Sequence, residues 1–378
     1  MIVSCDGRTL VTEAWQLNPR KLLRAWDDPL DVIAWMSAAL ADARSKDSRW
    51  VGYFSYDLGR LFEQLPSRAA DDLQLPLFVF TLEHPAAERQ ARPVPAPRRG
   101  AGRLRSTFTR PAYLDAVAKA VEYIRAGDIF QVNLSQRFTS ECALPPEVIF
   151  DHLRRAGGAR YGAILRYEQF SLVSHSPELF LRVSRDPATG GRRVVTRPIK
   201  GTRPRLPGME DELRHSVKDQ AELNMIIDLE RNDLGRVCEI GSVEVTQPRA
   251  VEAHPTVYHG VATVEGTLRD DVSFVDLLRA TFPGGSVTGA PKIRAMEIID
   301  ELEPVRRGPY CGAIGYLAAD GSAEFNVAIR TMILKDGLAH VPVGGAVVAD
   351  STPAGEFEET LVKARAMFDA LGIPLPEP

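Results

Sequence analysis

Lys200 and Glu178 are two residues of this sequence whose side chains could carry out a covalent reaction. Lys200 lies between Ile199 and Gly201, and a lysine buried in a cleft has a lowered pKa, so that its neutral amine can act as a nucleophile. Glu178 follows a short apolar stretch, and burial would raise the pKa of its carboxyl into the range of a general acid. Each residue also has an ordinary interpretation, because most lysines are solvated and a carboxylate after a strand can simply cap a turn.

Four glutamates form a second candidate site. Glu222 lies in a predicted helix, and Glu356, Glu358 and Glu359 lie in the first turns of the last predicted helix. Carboxylates from two helices that meet in a cleft would suit Mg²⁺, which binds one or two carboxylates together with substrate oxygens and water. The alternative is structural, since Glu222 and Glu359 each have a lysine four residues away and acidic residues stabilise a helix N-terminus.

A glycine-rich string at residues 282–292 leads into a predicted helix. Backbone amides at a helix start that follows glycines can bind an anion. The string is not a phosphate-binding Walker loop, because Ala290 follows Gly289 where that motif requires a lysine. The alternative is a tight turn in which glycines adopt positive φ angles.

The composition is that of an ordinary globular protein. The 378 residues are 44% apolar and 25% charged, and their net charge of −4 gives no general attraction to nucleic acid or to an anionic membrane. The sequence has four cysteines without a C-x-x-C pair, no signal peptide, and no apolar stretch that approaches the ~20 residues of a membrane helix. We therefore expect a cytoplasmic protein with no nucleic-acid or membrane partner.

The predicted elements alternate between helices and strands, as they do in α/β or α+β folds. Helical spacing favours helices over residues 111–126, from 211 to about 230, and from 353 onward. The last of these has an apolar stripe formed by Phe357, Leu361, Ala364, Phe368 and Leu371. Period-two alternation predicts a strand with one polar face over residues 130–135, and short strands are predicted at 313–317 and 346–349. Residues 85–103 are rich in proline and arginine, which predicts a surface loop or linker.

Taken together, these strings resemble those of the chorismate-utilising enzymes, the family that includes anthranilate synthase component I and aminodeoxychorismate synthase component I. The resemblance covers about residues 108–371 and is carried by eight collinear motifs, at residues 131–138, 196–204, 228–234, 254–259, 284–292, 310–312, 325–330 and 358–360. It implies a large two-sheet α/β sandwich with the active site in its central cleft. The implied division is a shortened N-terminal section at 1–84 that contributes to the sandwich, a loop or linker at 85–106, and a chorismate-binding catalytic region at 107–372.

Two positions distinguish between members of the family. Residues 198–202 read Pro-Ile-Lys-Gly-Thr, whereas anthranilate synthases are expected to have alanine in place of this lysine. The isochorismate and salicylate synthases carry a water-activating lysine where this chain has Gln131. The resemblance therefore implies an aminodeoxychorismate synthase, which makes 4-amino-4-deoxychorismate for p-aminobenzoate and folate biosynthesis. Anthranilate synthase component I is the alternative.

The resemblance also implies a role for each candidate residue. Lys200 would attack C2 of chorismate and form a covalent intermediate, while Glu178 protonates the departing C4 hydroxyl. His259 matches a histidine that serves elimination in anthranilate synthase. The remaining positions around the substrate are Gly201, Thr202, Thr288, Gly289, Tyr310, Arg330, Gly344, Gly345, Ala346 and Lys363.

The implied cofactor is Mg²⁺, held by Glu222 and Glu359. The resemblance leaves open whether Glu356 or Glu358 also contacts the metal. A metal at this position would bind the ring carboxylate of chorismate and draw electron density from the diene.

The source of ammonia follows from a missing motif. A glutaminase of the expected type needs a Gly-x-Cys-x-Gly nucleophile site, and none of the four cysteines has this setting. The resemblance therefore implies that a separate glutamine amidotransferase subunit supplies ammonia to this chain in a heterodimer.

Overall fold

A computed structural model describes residues 2–5, 8–11, 30–31, 33–34, 48–83, 104–157 and 159–375. Within these ranges the strands are β1 Ile2–Cys5, β2 Arg8–Val11, β3 Arg49–Phe54, β4 Phe78–Glu83, β5 Arg105–Ser106, β6 Gln131–Glu141, β7 Tyr161–Arg166, β8 Phe170–Ser176, β9 Leu179–Arg185, β10 Arg192–Arg197, β11 Ile199–Pro204, β12 Glu244–Ala253, β13 Val257–Leu268, β14 Gly289–Ala290, β15 Ala313–Ala318, β16 Ala323–Val327, β17 Thr331–Lys335 and β18 Leu338–Val347. The α-helices are α1 Arg110–Arg125, α2 Pro146–Ala156, α3 Met209–His215, α4 Val217–Gly235, α5 Phe274–Thr281, α6 Lys292–Leu302 and α7 Pro353–Leu371.

The strands form two antiparallel sheets of nine strands each. Sheet one has the order β14-β6-β18-β17-β8-β7-β1-β2, and β5 also pairs with β6. Sheet two has the order β11-β13-β10-β9-β16-β15-β3-β4, and β12 also pairs with β13. Strands that are neighbours in a sheet come from distant parts of the chain, such as β6 beside β18 and β3 beside β15. Neither sheet can therefore form from one continuous stretch of sequence.

The two sheets pack face to face. Tyr53 of sheet two lies in one apolar cluster with Leu165 and Leu172 of sheet one. Successive side chains of a strand point to opposite faces, and the next residue, Phe54, accordingly packs on the other face of sheet two, with its ring 6.2 Å from that of Phe274 in α5. Each sheet thus has one face toward the other sheet and one face toward helices, which confirms the predicted two-sheet α/β sandwich.

Helices cover the outer faces of the sandwich. Helix α7 packs on β18, α2 on β8 and α6 on β6, while α3 and α4 pack on β11, β12 and β13. No helix in the described ranges is long and apolar enough to cross a bilayer. The predicted apolar stripe of the last helix is confirmed, because all five of its members are buried: Phe357, Leu361, Ala364, Phe368 and Leu371.

Element boundaries differ from the sequence-based expectation at three places, the first of which is the strand predicted over residues 130–135, since β6 continues to Glu141. The helix predicted from residue 211 to about 230 is two helices, α3 and α4, which are separated at Ser216. Ser216 has an extended backbone and its side chain accepts a hydrogen bond from the Asp219 amide, so that it caps a new helix instead of continuing the old one. The strand predicted at 346–349 is the end of the longer β18, which stops at Val347.

Residues from the N-terminal section contribute to both sheets. Strands β1 and β2 lie at one edge of sheet one, and β3 and β4 lie at one edge of sheet two. The loop or linker predicted at 85–106 falls mostly outside the described residues. Its last two residues form β5, which pairs with Phe138 and Thr139 of β6.

Candidate active site

Lys200 lies at an irregularity of β11. The register of β11 against β13 shifts between Ile199 and Thr202, and such bulges re-aim side chains and often lie next to active sites. Lys200 is 9% exposed, and its Nζ donates a hydrogen bond of 3.3 Å to Oε1 of Gln131. Burial lowers the pKa of Lys200, although the charge of Glu222 acts in the opposite direction. Lowering the pKa enlarges the neutral, nucleophilic fraction of the amine.

Gln131 receives this hydrogen bond from the opposite sheet. It is the first residue of β6 in sheet one, whereas Lys200 belongs to sheet two. Gln131 is fully buried, and its Nε2 has no hydrogen-bond partner among the described residues. A polar face was predicted for this strand. At Gln131 this face is not solvated, because the Gln131 side chain points at Lys200 between the sheets.

Glu178 lies on the connection that crosses from β8 in sheet one to β9 in sheet two. It is 4% exposed, and its Oε1 has no hydrogen-bond partner within the described ranges. Burial raises the pKa of Glu178 to about 7, while hydrogen bonding from the Ser286 side chain and the charge of Lys200 act to lower it. A carboxyl with a pKa near 7 holds a proton in about half of the molecules at neutral pH, which suits a general acid.

The fold brings the main predicted residues together. The charges of Glu222, Lys363, Glu178 and Glu359 all act on Lys200. These five side chains come from β11, the β8–β9 connection, α4 and α7, which are far apart in the sequence. The predicted nucleophile, general acid and metal ligands thus lie in one region around Lys200.

The two predicted metal ligands have different electrostatic surroundings. Burial raises the pKa of Glu222 on α4, against the charges of Lys200 and Lys218. Burial also acts to raise the pKa of Glu359 on α7, but the charge of Lys363 and its hydrogen bond outweigh that effect and lower the pKa. Glu359 and Lys363 form an ion pair of 2.7 Å, and both side chains are nearly half exposed.

Glu356 adds a third carboxylate to this region. Its Oε1 accepts a hydrogen bond of 2.6 Å from Ser351, whereas its buried Oε2 has no partner among the described residues. A Cβ atom at Gly345 would lie 2.8 Å from Oε2 of Glu356 and 3.4 Å from Oε1 of Glu359. The glycine therefore leaves the space that both carboxylates occupy next to β18.

These carboxylates fit a hard divalent cation. No cluster of three or more His, Cys, Asp or Glu side chains in the described part of the chain has the arrangement of a protein-only metal site. Mg²⁺ does not require one, because it commonly binds one or two carboxylates and completes its shell with water and substrate oxygens. The unpartnered, buried oxygen of Glu356 is a further polar group that needs a proton or a cation nearby.

Lys363 links helix α7 to strand β18. Its Nζ donates a hydrogen bond of 2.9 Å to the carbonyl of Gly344 in addition to its contact with Glu359. The predicted substrate positions Gly344, Gly345 and Ala346 lie on β18, directly opposite residues 133–135 of β6. This part of β18 therefore lies beside the strand that begins with Gln131.

His259 and Arg330 lie close enough for the charge of Arg330 to affect the pKa of His259. His259 is 2% exposed, and its Nδ1 lies 2.9 Å from the hydroxyl of Thr202. Burial lowers the pKa of His259 to about 3, and the charge of Arg330 contributes. Burial also lowers the pKa of Arg330, against the charge of Glu178. His259 is consequently a neutral hydrogen-bonding group at physiological pH.

Tyr310 lies in the interior beside a buried ion pair. Burial raises the pKa of the Tyr310 phenol, and its charged neighbours are Arg307 and Glu303. Arg307 and Glu303 are joined by hydrogen bonds of 2.6 to 3.2 Å. Tyr310 therefore contributes a neutral phenol to this part of the protein.

The glycine loop, residues 284–289, forms hydrogen bonds with other residues of the protein. The Gly285 amide donates a hydrogen bond of 3.2 Å to Oε1 of Glu230. Lys292, which follows the loop, pairs with Asp233 and donates a hydrogen bond of 2.8 Å to the Thr281 carbonyl. The Gly285 amide and Lys292 are thus not available to an anion. A positive φ, which the tight-turn interpretation requires of a glycine, occurs in the loop at Gly289, with φ 148°, and not at Gly284, with φ −56°.

The two predicted substrate positions of the glycine loop lie at its other end. Thr288 is fully buried, and its hydroxyl donates a hydrogen bond of 3.0 Å to the Gly284 carbonyl. Gly289 begins β14 and pairs with Val132, so that Ala290 pairs with Gln131. The loop therefore ends next to the residue that receives the hydrogen bond of Lys200.

Sequence reasoning missed two residues of this site. Ser286, whose carbonyl accepts a hydrogen bond from the Asn133 side chain, and Glu230, which accepts one from the Gly285 amide, were given no role. Both lie inside motifs that carry the family resemblance, so the available signal was their position in those strings. Their function depends on long-range contacts that the spacing of residues does not reveal.

Comparison with known proteins identifies the family. The sequence model of the chorismate binding enzymes matches residues 6–369. The chain belongs to this family. Anthranilate synthase component 1 of Thermus thermophilus is 44% identical, over 85% of this chain and 77% of that protein. Aminodeoxychorismate synthase component 1 of Salmonella typhimurium is 39% identical, over 98% of this chain and 89% of that protein.

A solved structure supports the same assignment for this chorismate-binding enzyme. The crystal structure of anthranilate synthase component I from Streptococcus pneumoniae superposes with a TM-score of 0.79 at 29% identity, covering 97% of this chain and 89% of that one. The predicted family and its sandwich fold are confirmed. Relatives with the two different activities in their names are similarly close, so that similarity alone assigns a chorismate-utilising enzyme and no finer activity.

Proposed function

We propose that this chorismate-binding enzyme is an aminodeoxychorismate synthase, which converts chorismate and ammonia to 4-amino-4-deoxychorismate. The observation that carries the proposal is the setting of Lys200, a buried lysine whose pKa is lowered by burial, which enlarges its neutral fraction, and whose Nζ donates a hydrogen bond to the neutral amide of Gln131. A lysine in such a setting is a nucleophile, and the proposed reaction requires one at C2 of the ring.

In the first step the neutral amine of Lys200 forms a bond to C2 of chorismate. The two ring double bonds shift, and the bond between C4 and its hydroxyl oxygen breaks. Glu178 gives its proton to this oxygen, which leaves as water. The unpartnered Oε1 of Glu178 and its pKa of about 7 support this role.

In the second step ammonia forms a bond to C4. The double bonds return to their original positions, and the bond between C2 and the Lys200 nitrogen breaks. The new C4 ammonium gives up one proton, which restores the acid form of Glu178. The net reaction replaces the C4 hydroxyl with an amino group, releases water and regenerates the lysine. Direct attack of ammonia at C2 would instead give the ortho isomer, so the bond to Lys200 determines which isomer forms.

Glu222 and Glu359 would hold the Mg²⁺ ion of this enzyme, with Glu356 beside them. Bound to the ring carboxylate of chorismate, the ion would withdraw electrons from the diene and ease attack at C2. The chain's own residues bind the rest of the substrate in this proposal. Arg330 is suited to bidentate pairing with a carboxylate, and His259 acts as a neutral hydrogen-bonding group.

A separate amidotransferase subunit would supply the ammonia. The chain lacks the Gly-x-Cys-x-Gly nucleophile site of a glutaminase, and similar proteins are named component 1. We therefore expect the isolated chain to use ammonium salts but not glutamine.

Anthranilate synthase component I is the second candidate. The 44% identity to a protein of that name favours it, and so does the presence of His259 at the position of its elimination histidine. Lys200 is the observation against it, because a route that begins with ammonia at C2 has no use for a lysine nucleophile.

Product identification tests the proposal. The purified chain is incubated with chorismate, Mg²⁺ and ammonium, and the products are separated by chromatography and identified by mass spectrometry. We expect 4-amino-4-deoxychorismate, with glutamine inactive as the only nitrogen source. Anthranilate as the sole product would overturn the proposal. In Glu178→Gln we expect kcat to fall by about 10²–10⁴-fold, the usual contribution of general acid catalysis.

A further inference from the structure

A small cavity lies between β6 and the connection that joins α6 to β15. Ser135 and Arg137 of β6 line it on one side, and Tyr310 of the connection lines it on the other. Ser135 and Arg137 point to the same face of their strand as Gln131, which contacts the lysine of sheet two. Arg137 follows Gln131 by six residues, about 20 Å along the strand. The end of the cavity at Arg137 is therefore distant from the catalytic lysine.

Arg137 is a buried arginine that uses few of its hydrogen-bond donors. It is 6% exposed, and its Nη2 donates a hydrogen bond to Asp72. Its Nε and Nη1 are buried and have no hydrogen-bond partner among the described residues. A guanidinium has only donors and keeps its charge in a protein, so it cannot lower the cost of burial by losing a proton. The open N–H groups of Arg137 therefore require an acceptor in the cavity.

Arg306 is a second arginine of the cavity with an open donor. Its Nη2 donates a hydrogen bond of 3.1 Å to Ser67, and its Nη1 lies 3.6 Å from a carboxylate oxygen of Asp71. Its Nε is buried and has no partner in the described part of the chain. Thr107 adds a hydroxyl to the wall, which accepts a hydrogen bond of 3.0 Å from the Arg137 amide and can donate its own proton. Donors from three side chains thus line this cavity.

The acidic side chains near the cavity do not supply the required acceptor. Glu303 is buried, but Arg307 donates to both of its oxygens and Ser135 donates to one of them. Asp72 and Asp71 have side chains that are 39% and 46% exposed, so that solvent screens their charges. The donors that remain open are cationic and buried. An anion is the ligand that complements them.

The size of the cavity restricts this anion to a small one. The free space is about 260 Å³ when the open mouth is included, and the interior has room for about one particle of the size of a water molecule. A phosphate or sulfate, with four oxygens around its central atom, does not fit in such a space. A monatomic halide ion does, and chloride is the common one in solution.

We propose that this cavity binds a chloride ion, which the open N–H groups of Arg137 and Arg306 hold by charge-assisted hydrogen bonds. The ion links β6 of sheet one to the connection that follows α6. The proposal is independent of the proposed function, because neither arginine belongs to the groups that would act on chorismate.

Chloride binding is measured in solution by ³⁵Cl NMR, in which the signal broadens when the ion exchanges onto a protein. The full chain is titrated with sodium chloride, and sodium gluconate keeps the ionic strength constant. We expect an excess broadening that saturates and that acetate does not remove, because acetate is larger than the interior of the cavity. Broadening that never saturates would overturn the proposal, as would displacement of the ion by acetate.

Three variants locate the bound ion. In Arg137→Met we expect the affinity for chloride to fall by about 10- to 100-fold, the usual effect of losing hydrogen bonds to a charged group. Arg306→Met loses one open donor, and its affinity should fall by about tenfold. Arg197→Met is the matched control, since the Arg197 side chain is 17% exposed and that of Arg306 is 26% exposed, but Arg197 already has partners in Thr263 and Glu252. Unchanged affinity in the first two variants, or an equal loss in the control, would contradict the proposal.

A crystal of the unmodified protein makes the test independent of whether the variants fold. Bromide replaces chloride at halide sites and has a strong anomalous signal. After a soak in sodium bromide, we expect an anomalous peak within hydrogen-bonding distance of Nε or Nη1 of Arg137. A water molecule at this place and no bromide peak would overturn the proposal. None of these measurements uses chorismate, so their outcome and the identity of the reaction product are separate results.

Discussion

Two groups of buried charged residues contact the glycine loop, and they are built in opposite ways. Around Glu303 and Arg307, every charged nitrogen and oxygen has a partner: Arg307 binds both oxygens of Glu303 and the carbonyls of Val287 and Asn133. Around Lys200, by contrast, some buried polar atoms have no hydrogen-bond partner among the described residues. The Oε1 of Glu178 and the Nε2 of Gln131 have no partner among the described residues.

The difference indicates which buried charges serve the fold and which serve the chemistry. A fully paired ion pair in the interior holds elements in place but cannot react, because its lone pairs and protons are all engaged. Open polar groups destabilise the fold, and a protein retains them where a substrate or a cation completes the set. The glycine loop is anchored by the first group, and its end at Gly289 pairs with the strand that carries Gln131 of the second group.

The largest expected effect is on the rate in Lys200→Met. The variant removes the nucleophile, and ammonia-dependent formation of 4-amino-4-deoxychorismate should fall by at least about 10³-fold, a loss in the range of a general acid or larger. The free energy of unfolding should be unchanged or higher, because an apolar side chain replaces a buried amine that has few partners. Product analysis and thermal unfolding measure the two quantities. Full activity would remove Lys200 from the mechanism.

Unlike Lys200→Met, Arg307→Met should lower the stability of the protein. It leaves Glu303 buried without its cation, so the free energy of unfolding should fall by about 3–5 kcal/mol. Chemical denaturation of the purified variant measures this loss. Arg214→Met is the matched control, because Arg214 and Glu210 have the same spacing of four residues but are about half exposed, and we expect a change of no more than about 1 kcal/mol there.

The pH dependence of stability gives a third test. The pKa of Glu178 is raised from 4.5 to about 7 in the folded protein, so ionising it disfavours folding, and this cost grows as the pH rises from about 4.5 through 7. Glu178→Gln removes the cost and should be more stable than the parent protein by roughly 3 kcal/mol at pH 8. The two proteins should be nearly equal at about pH 4, where the carboxyl is mostly protonated in both the folded and the unfolded state. A constant difference at both values would contradict the raised pKa.

Gly345→Ala should have the smallest of these effects, and we expect it in the binding of Mg²⁺. Its methyl group would crowd the Glu356 and Glu359 carboxylates, and we expect the affinity for Mg²⁺ to fall by about tenfold or somewhat more, as when the surroundings of a metal site are altered. Calorimetric titration of Mg²⁺ measures the affinity. Gly235→Ala is the control, since a Cβ atom there has no neighbour within 4 Å. An unchanged affinity would argue against a metal beside Gly345.

Periodicity and capping residues predicted the simplest parts of the fold well. Helix α1 begins and ends within one residue of the predicted range, because Thr109 caps it and a proline lies in its first turn. The stripe of α7 is buried as expected. The break at Ser216 was not predicted, because its cap depends on whether a serine hydroxyl bonds the local backbone or points to solvent.

The site was predicted through the family motifs more than through residue spacing. Lys200 and Glu178 had chemical alternatives that the sequence left open, and their burial between two sheets is a property of the whole fold. Glu230 and Ser286 show the limit most clearly, since residues 230 and 285 lie 55 positions apart and meet only because α4 packs beneath the loop. No local pattern encodes such a contact.

The central place of β18 in sheet one has a consequence for the making of this protein. Residues 338–347 pair with both β6 and β17, yet a ribosome adds them more than 190 residues after β6 has been completed. Until then the edge of β6 that β18 will cover is bare backbone, ready to join other chains. Shielding of this edge during synthesis is therefore a step on which the yield of active enzyme depends.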